Sequence, residues 1–155
     1  MRPPVDEDRI RALARELARV APTTVRIYLT GGATAVLEGW RATTIDIDVR
    51  FEPEADELLR ALPGLKDRLG INIELASPPD FIPELPGWRA RSPFVFQDGS
   101  VYVHHFDPYS QALSKIERGI EQDLADVHSM IAELYRYPAI DPGAFRSKLD
   151  ALAGA

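Results

Sequence analysis

From Asp6 to Val20 apolar residues recur at Ile10, Leu13, Leu17 and Val20, the three- and four-residue spacing of a helix with one buried face. Pro22 ends it. Over Val25-Arg26-Ile27-Tyr28-Leu29-Thr30 the period shortens to two and β-branched residues enter, which predicts a strand. Gly31-Gly32 breaks that strand, and Ala33 to Glu38 reads as a short helix capped by Gly39. A second strand is expected from Ile45 to Phe51, then a crossover helix from Glu54 to Leu69 with Pro63-Gly64 as a kink or end. Ile71-Asn72-Ile73-Glu74-Leu75 alternates cleanly and makes a third strand.

Between Ser77 and Ser92 the prolines Pro78, Pro79, Pro83 and Pro86 predict an irregular loop. Phe94 to Gln97 and Val101 to Phe106, joined by Asp98-Gly99, read as a hairpin with a primed turn. Leu113, Ile116, Ile120, Leu124, Val127, Ile131 and Leu134 restore the helical spacing, divided or tolerated at Gly119, and Asp141 to Leu152 reads as a short last helix. The order of elements implies an α/β (α+β) domain spanning residues 1–155, a mixed sheet flanked by helices with further helices at its C-terminal end.

A chain of 155 residues buries roughly 70% of its unfolded surface, enough for a substantial core. With no cysteine, disulfides and thiolate metal sites are excluded. No apolar run approaches the ~20 residues of a membrane span, and the first residues carry no signal-peptide core, so a cytoplasmic protein without membrane partners is expected. The net charge of −6 argues against wide contact with a nucleic-acid backbone. Arg89, Arg91, Lys115 and Arg118 are candidates for a local basic groove, although solvated arginines are the default.

The chemistry concentrates in the second strand. Asp46 and Asp48 are two apart, so their carboxylates leave one face about 7 Å from each other. Separated from Asp46 by thirteen residues stands the Gly31-Gly32 turn, whose main chain can approach a phosphate. Mg²⁺ takes hard oxygen ligands and keeps only a few from protein, which suits this pair with a nucleotide. Glu74, on the face opposite Ile71, Ile73 and Leu75, is the candidate third carboxylate, with Asn72 beside it.

An apolar strand, a Gly-Gly turn, Asp46-Ile47-Asp48 and a later carboxylate on a neighbouring strand resemble the polymerase-β-type nucleotidyltransferase superfamily. Small prokaryotic nucleotidyltransferase-like proteins, including the AbiEii-type toxins of toxin–antitoxin systems, are the nearer likeness. Those carry a Lys and an Arg on a helix before Asp-x-x-Asp, matched here by Lys115, Arg118, Asp123 and Asp126. Arg41 and Thr44 resemble the Arg and Ser/Thr that precede the aspartate pair. The resemblance implies a nucleotidyltransferase fold and transfer from an NTP, with Mg²⁺ on Asp46, Asp48 and Glu74. It implies nucleotide contacts from Gly31, Gly32, Thr44, Lys115, Arg118, Asp123 and Asp126, and catalytic roles for Lys115 and Glu74. The expected acceptors are RNA (tRNA by the toxin likeness), protein or a small molecule, and an antitoxin protein is the expected partner. Gly32 stands where many members have serine, and Glu74 where many have Asp.

Other polar groups are read as structural. His104 and His105 point to opposite faces of a strand and do not share an ion. Lys115 and Asp126, eleven apart on one helix, also fit a surface ion pair. Trp40, Trp88 and Phe81 fit core or loop anchoring better than base stacking, and the loop ending Trp88-Arg89-Ala90-Arg91 is the candidate acceptor-side lid. A nucleotidyltransferase-fold protein that binds without turnover is the competing function.

Overall fold

A computed structural model describes residues 2–118. The elements are α1 (Glu7–Val20), β1 (Val25–Thr30), α2 (Gly32–Leu37), β2 (Asp46–Glu52), α3 (Asp56–Leu69), β3 (Asn72–Glu74), a 3₁₀ turn at Pro78–Asp80, β4 (Phe94–Asp98), β5 (Val101–His105) and α4 (Pro108–Arg118). The described residues fall into two compact units, one of residues 2–77 with 94–105, the other of residues 78–93 with 106–118. The helical periodicity beyond Arg118 and the expected helix over Asp141 to Leu152 lie outside the described residues.

The first unit is the expected mixed sheet flanked by helices, of α+β class. Its five strands run in the order β3-β2-β1-β5-β4. β1 is antiparallel to β2 and parallel to β5, and β2 is parallel to β3. Alternation sorts the side chains: Ile27, Leu29, Ile47, Val49, Phe51, Ile73, Val101 and Val103 enter one core with Ile10, Leu13 and Leu17 of α1 and Leu58, Leu62 and Leu65 of α3. Arg26, Tyr28, Thr30, Asp46, Asp48, Arg50, Asn72 and Glu74 take the other face.

Two expectations are corrected here. Pro63 sits inside an unbroken α3 and does not end it. Burying Leu58, Leu62 and Leu65 on one stripe contributes about 2 kcal/mol each, which outweighs a helix-proline cost of about 3 kcal/mol. In the hairpin, Asp98 pairs with Val101, so the loop residues are Gly99 and Ser100. Gly99 alone has positive φ (54°), the φ signs of a type II′ turn.

The first unit is also stitched at its open end. Asp6 caps α1 by accepting from Arg9 N at 3.0 Å, and Val5 pairs with Thr44, N to O 2.7 Å and O to N 2.9 Å. Arg9 donates to the carbonyls of Leu69 and Gly70, where α3 leaves its last carbonyls unmatched. Among the described residues no helix is long and apolar enough to cross a membrane.

Among its described residues the second unit contains a buried knot of polar contacts. Asp107, fully buried, caps α4 by accepting from Tyr109 N (3.1 Å) and from Ser110 Oγ (2.8 Å), with Pro108 in the first helical position. Arg91 closes on the same carboxylate through Nε (3.1 Å) and Nη2 (2.7 Å). The arginine read as a groove candidate is therefore a structural partner. Trp88 is buried and stacks on Phe106 with ring centres 4.3 Å apart at 6°, so its ring anchors the proline-rich loop.

Candidate functional site

β2 is hydrogen-bonded to a neighbouring strand on both sides, and that fixes which carboxylates are neighbours. Thr30 of β1 lies opposite Asp48 of β2, and Asp48 lies opposite Glu74 of β3. Directly paired residues share a face, so Thr30, Asp48 and Glu74 form one row across three strands at about 4.8 Å spacing. Asp46 opposite Asn72 forms the next row, about 7 Å along. Asp46 and Asp48 are half-buried and Glu74 is exposed.

The two glycines serve different purposes. Gly31 takes φ 67° and ψ −125°, a conformation that L side chains rarely adopt. A first side-chain carbon there would stand 3.5 Å from Asp48 Oδ2, so the turn's main chain lies directly against that carboxylate. Gly32 has an ordinary φ but no room: a Cβ would collide with Thr44 Oγ1 and come within 2.7 Å of Thr44 Cβ. Thr44 is fixed by its pairing with Val5, and its Oγ1 donates to Asp46 O at 3.1 Å. The same residue thus packs under the turn and steadies the start of the aspartate strand. This explains why position 32 cannot hold the serine that the resemblance leads one to expect.

α2 follows the turn and closes through Gly39 N to Val36 O (3.1 Å) and Trp40 N to Ala35 O (2.8 Å). With six residues, its dipole adds little to anion binding compared with the turn's own N–H groups. Behind it Glu38 meets His105 Nε2 at 2.9 Å. His104 points to the opposite face, stacks on Tyr28 with ring centres 5.3 Å apart, and accepts from Arg26 at 2.9 Å. An arginine only donates, so this His104 nitrogen is the unprotonated one.

Gly31, Gly32, Thr44, Asp46, Asp48 and Glu74 thus come together in the first unit. Lys115 and Arg118 lie on α4 in the second, and Asp123 and Asp126 lie outside the described residues. Lys115 is 3% exposed, which removes the reading of a solvated surface ion pair. Among the described residues no three His, Asp or Glu side chains converge into a metal cage. An open row of carboxylates suits Mg²⁺, which keeps waters and substrate phosphates among its ligands, and does not suit a cation held by protein alone.

Sequence reasoning passed over Thr30. Its Oγ1 is buried and has no hydrogen-bond partner among the described residues. The signal was present in the sequence: a hydroxyl closing an apolar strand, in phase with the aspartates' face and directly before the glycines.

A family model described as nucleotidyltransferase of unknown function (DUF6036) matches residues 8–135, a span that holds every candidate above. No curated protein and no solved structure matches the chain.

Proposed function

Since the chain belongs to this family of nucleotidyltransferases of unknown function, we propose that it transfers a nucleotidyl group from an NTP to an acceptor hydroxyl in a Mg²⁺-dependent reaction. The observation that carries this reading is the row Thr30–Asp48–Glu74 beside the Gly31 turn. Asp46 and Asp48 would hold the cation, from one face of β2. When bound, Mg²⁺ neutralises phosphate oxygens and makes the attacking hydroxyl more acidic. The main chain at Gly31 and Gly32 receives the phosphates. Glu74, the exposed carboxylate, takes the acceptor's proton as the acceptor oxygen bonds to the α-phosphorus and the bond to pyrophosphate breaks. The acceptor is RNA, protein or a small molecule, and the likeness to AbiEii-type toxins supports tRNA and a protein antitoxin.

The test is incubation with each α-³²P-labelled NTP, Mg²⁺ and total bacterial RNA, beside Asp46→Ala/Asp48→Ala. Label entering RNA or protein only with the unmodified chain is the expected result. Absence of both label and metal-dependent NTP binding would sink the proposal. Gly32, in place of a serine hydroxyl, favours a second reading in which nucleotide is bound without turnover. That reading expects metal-dependent binding and no release of pyrophosphate.

A further inference from the structure

Thr30 has a cost that the fold does not explain. A buried hydroxyl without a partner loses its hydrogen bonds to water and gains none in return. Thr30 is 9% exposed and its Oγ1 has no partner among the described residues. By contrast, Thr34 on α2 donates to Leu29 O at 3.2 Å, and Thr44 donates to Asp46 O at 3.1 Å. The nearby threonines are satisfied and Thr30 is not.

Its position gives the reason. It is the last residue of β1, opposite Asp48, on the face that carries the carboxylates, and next to the glycine whose main chain lies against Asp48. We propose that Thr30 is a binding residue of this site, its hydroxyl hydrogen-bonding an oxygen of the metal–phosphate assembly. That oxygen is either water on the cation or a phosphate oxygen of the nucleotide. Both have the chemistry a hydroxyl needs, since it donates and accepts. The inference rests on the metal–nucleotide reading of Asp46 and Asp48 and adds a residue to it. It also explains why a β-strand ends on a polar residue inside a covered position where valine would pack at no cost.

The experiment is Mn²⁺ binding followed by electron paramagnetic resonance, with and without an α,β-methylene NTP analogue, alongside thermal unfolding. The variants are Thr30→Val, Thr30→Ser and Asp48→Asn. Thr30→Val keeps the shape and removes the hydroxyl. It is expected to bind about tenfold more weakly, the scale of one hydrogen bond to a charged assembly, while its Tm stays level or rises. Thr30→Ser is expected to restore binding. A loss seen with Mn²⁺ alone identifies the cation's water as the partner, and a loss seen only with the analogue identifies a phosphate oxygen. Thr30→Val binding like the unmodified chain, where Asp48→Asn binds poorly, overturns the inference and leaves the metal site standing. A folded Thr30→Ser that fails to restore binding overturns it as well. An unmodified chain that binds neither Mn²⁺ nor the analogue overturns both readings together.

Discussion

The start of α4 and the end of β1 solve opposite problems with similar groups. At Asp107 a fully buried carboxylate receives Arg91, Ser110 and a main-chain N–H, so its acceptors are saturated by protein donors. At Thr30 a buried hydroxyl receives nothing from the described residues, although it sits opposite Asp48 and directly before a glycine turn. Saturation marks a group that holds a fold together. A leftover hydrogen-bonding capacity in a row of acids marks a place shaped for something that arrives later.

The comparison is tested most severely by activity. Asp46→Ala or Asp48→Ala is expected to lower NTP-dependent labelling by about 10³-fold, some 4 kcal/mol of transition-state stabilisation, with little change in urea midpoint. Full labelling by either variant would mean that these carboxylates are only a solvated strand face. Arg91→Ala should act the other way, removing about 3–5 kcal/mol of stability in urea unfolding because Asp107 remains buried without its counter-ion. A cost below about 1 kcal/mol there would show that Asp107 is not held as described.

Smaller effects probe the turn. Gly32→Ala should cost about 1–3 kcal/mol through collision with Thr44, and Thr44→Ala in the same chain should recover part of it. Equal costs with and without Thr44 would separate the two residues. At the low end, Arg60→Ala removes an exposed pair with Asp56 at 3.8 Å and should leave stability within about 0.5 kcal/mol. A larger loss would mean that surface pairs carry weight in this fold.

Much of the first unit was legible because alternation and helical spacing are local signals. β1 matches its expected bounds, Val25–Thr30, and Asp46 and Asp48 stand on one face as a period of two requires. What escaped depended on neighbours distant in sequence. Pro63-Gly64 was read as a kink or end, and α3 runs on past it because the strip of leucines that carries it acts through tertiary burial. Arg91 was read as a solvated cation because nothing near it announces Asp107, sixteen residues on. The steric demand on Gly32 comes from Thr44 across the turn, which nothing beside the glycine announces. Alternation alone would set Phe94 and Phe96 on one face, yet the register shifts between them: Phe94 meets His104, and Phe96 meets Val103 and lies under Arg11. A bulge has no local sequence mark, and it re-aims a side chain by a single unpaired residue.

That bulge has a bearing on what copies of this chain can do to one another. β4 is one border of the sheet and β3 the other. An exposed border of unpaired N–H and C=O groups invites a strand from a neighbouring molecule, the first step toward fibrous aggregates. Here one border is kinked, with Pro93 just ahead of it, and the other is three residues long. Neither offers a straight, sustained template, so the sheet is guarded at both margins against intermolecular strand addition, and its carboxylate face can stay open without the sheet becoming adhesive.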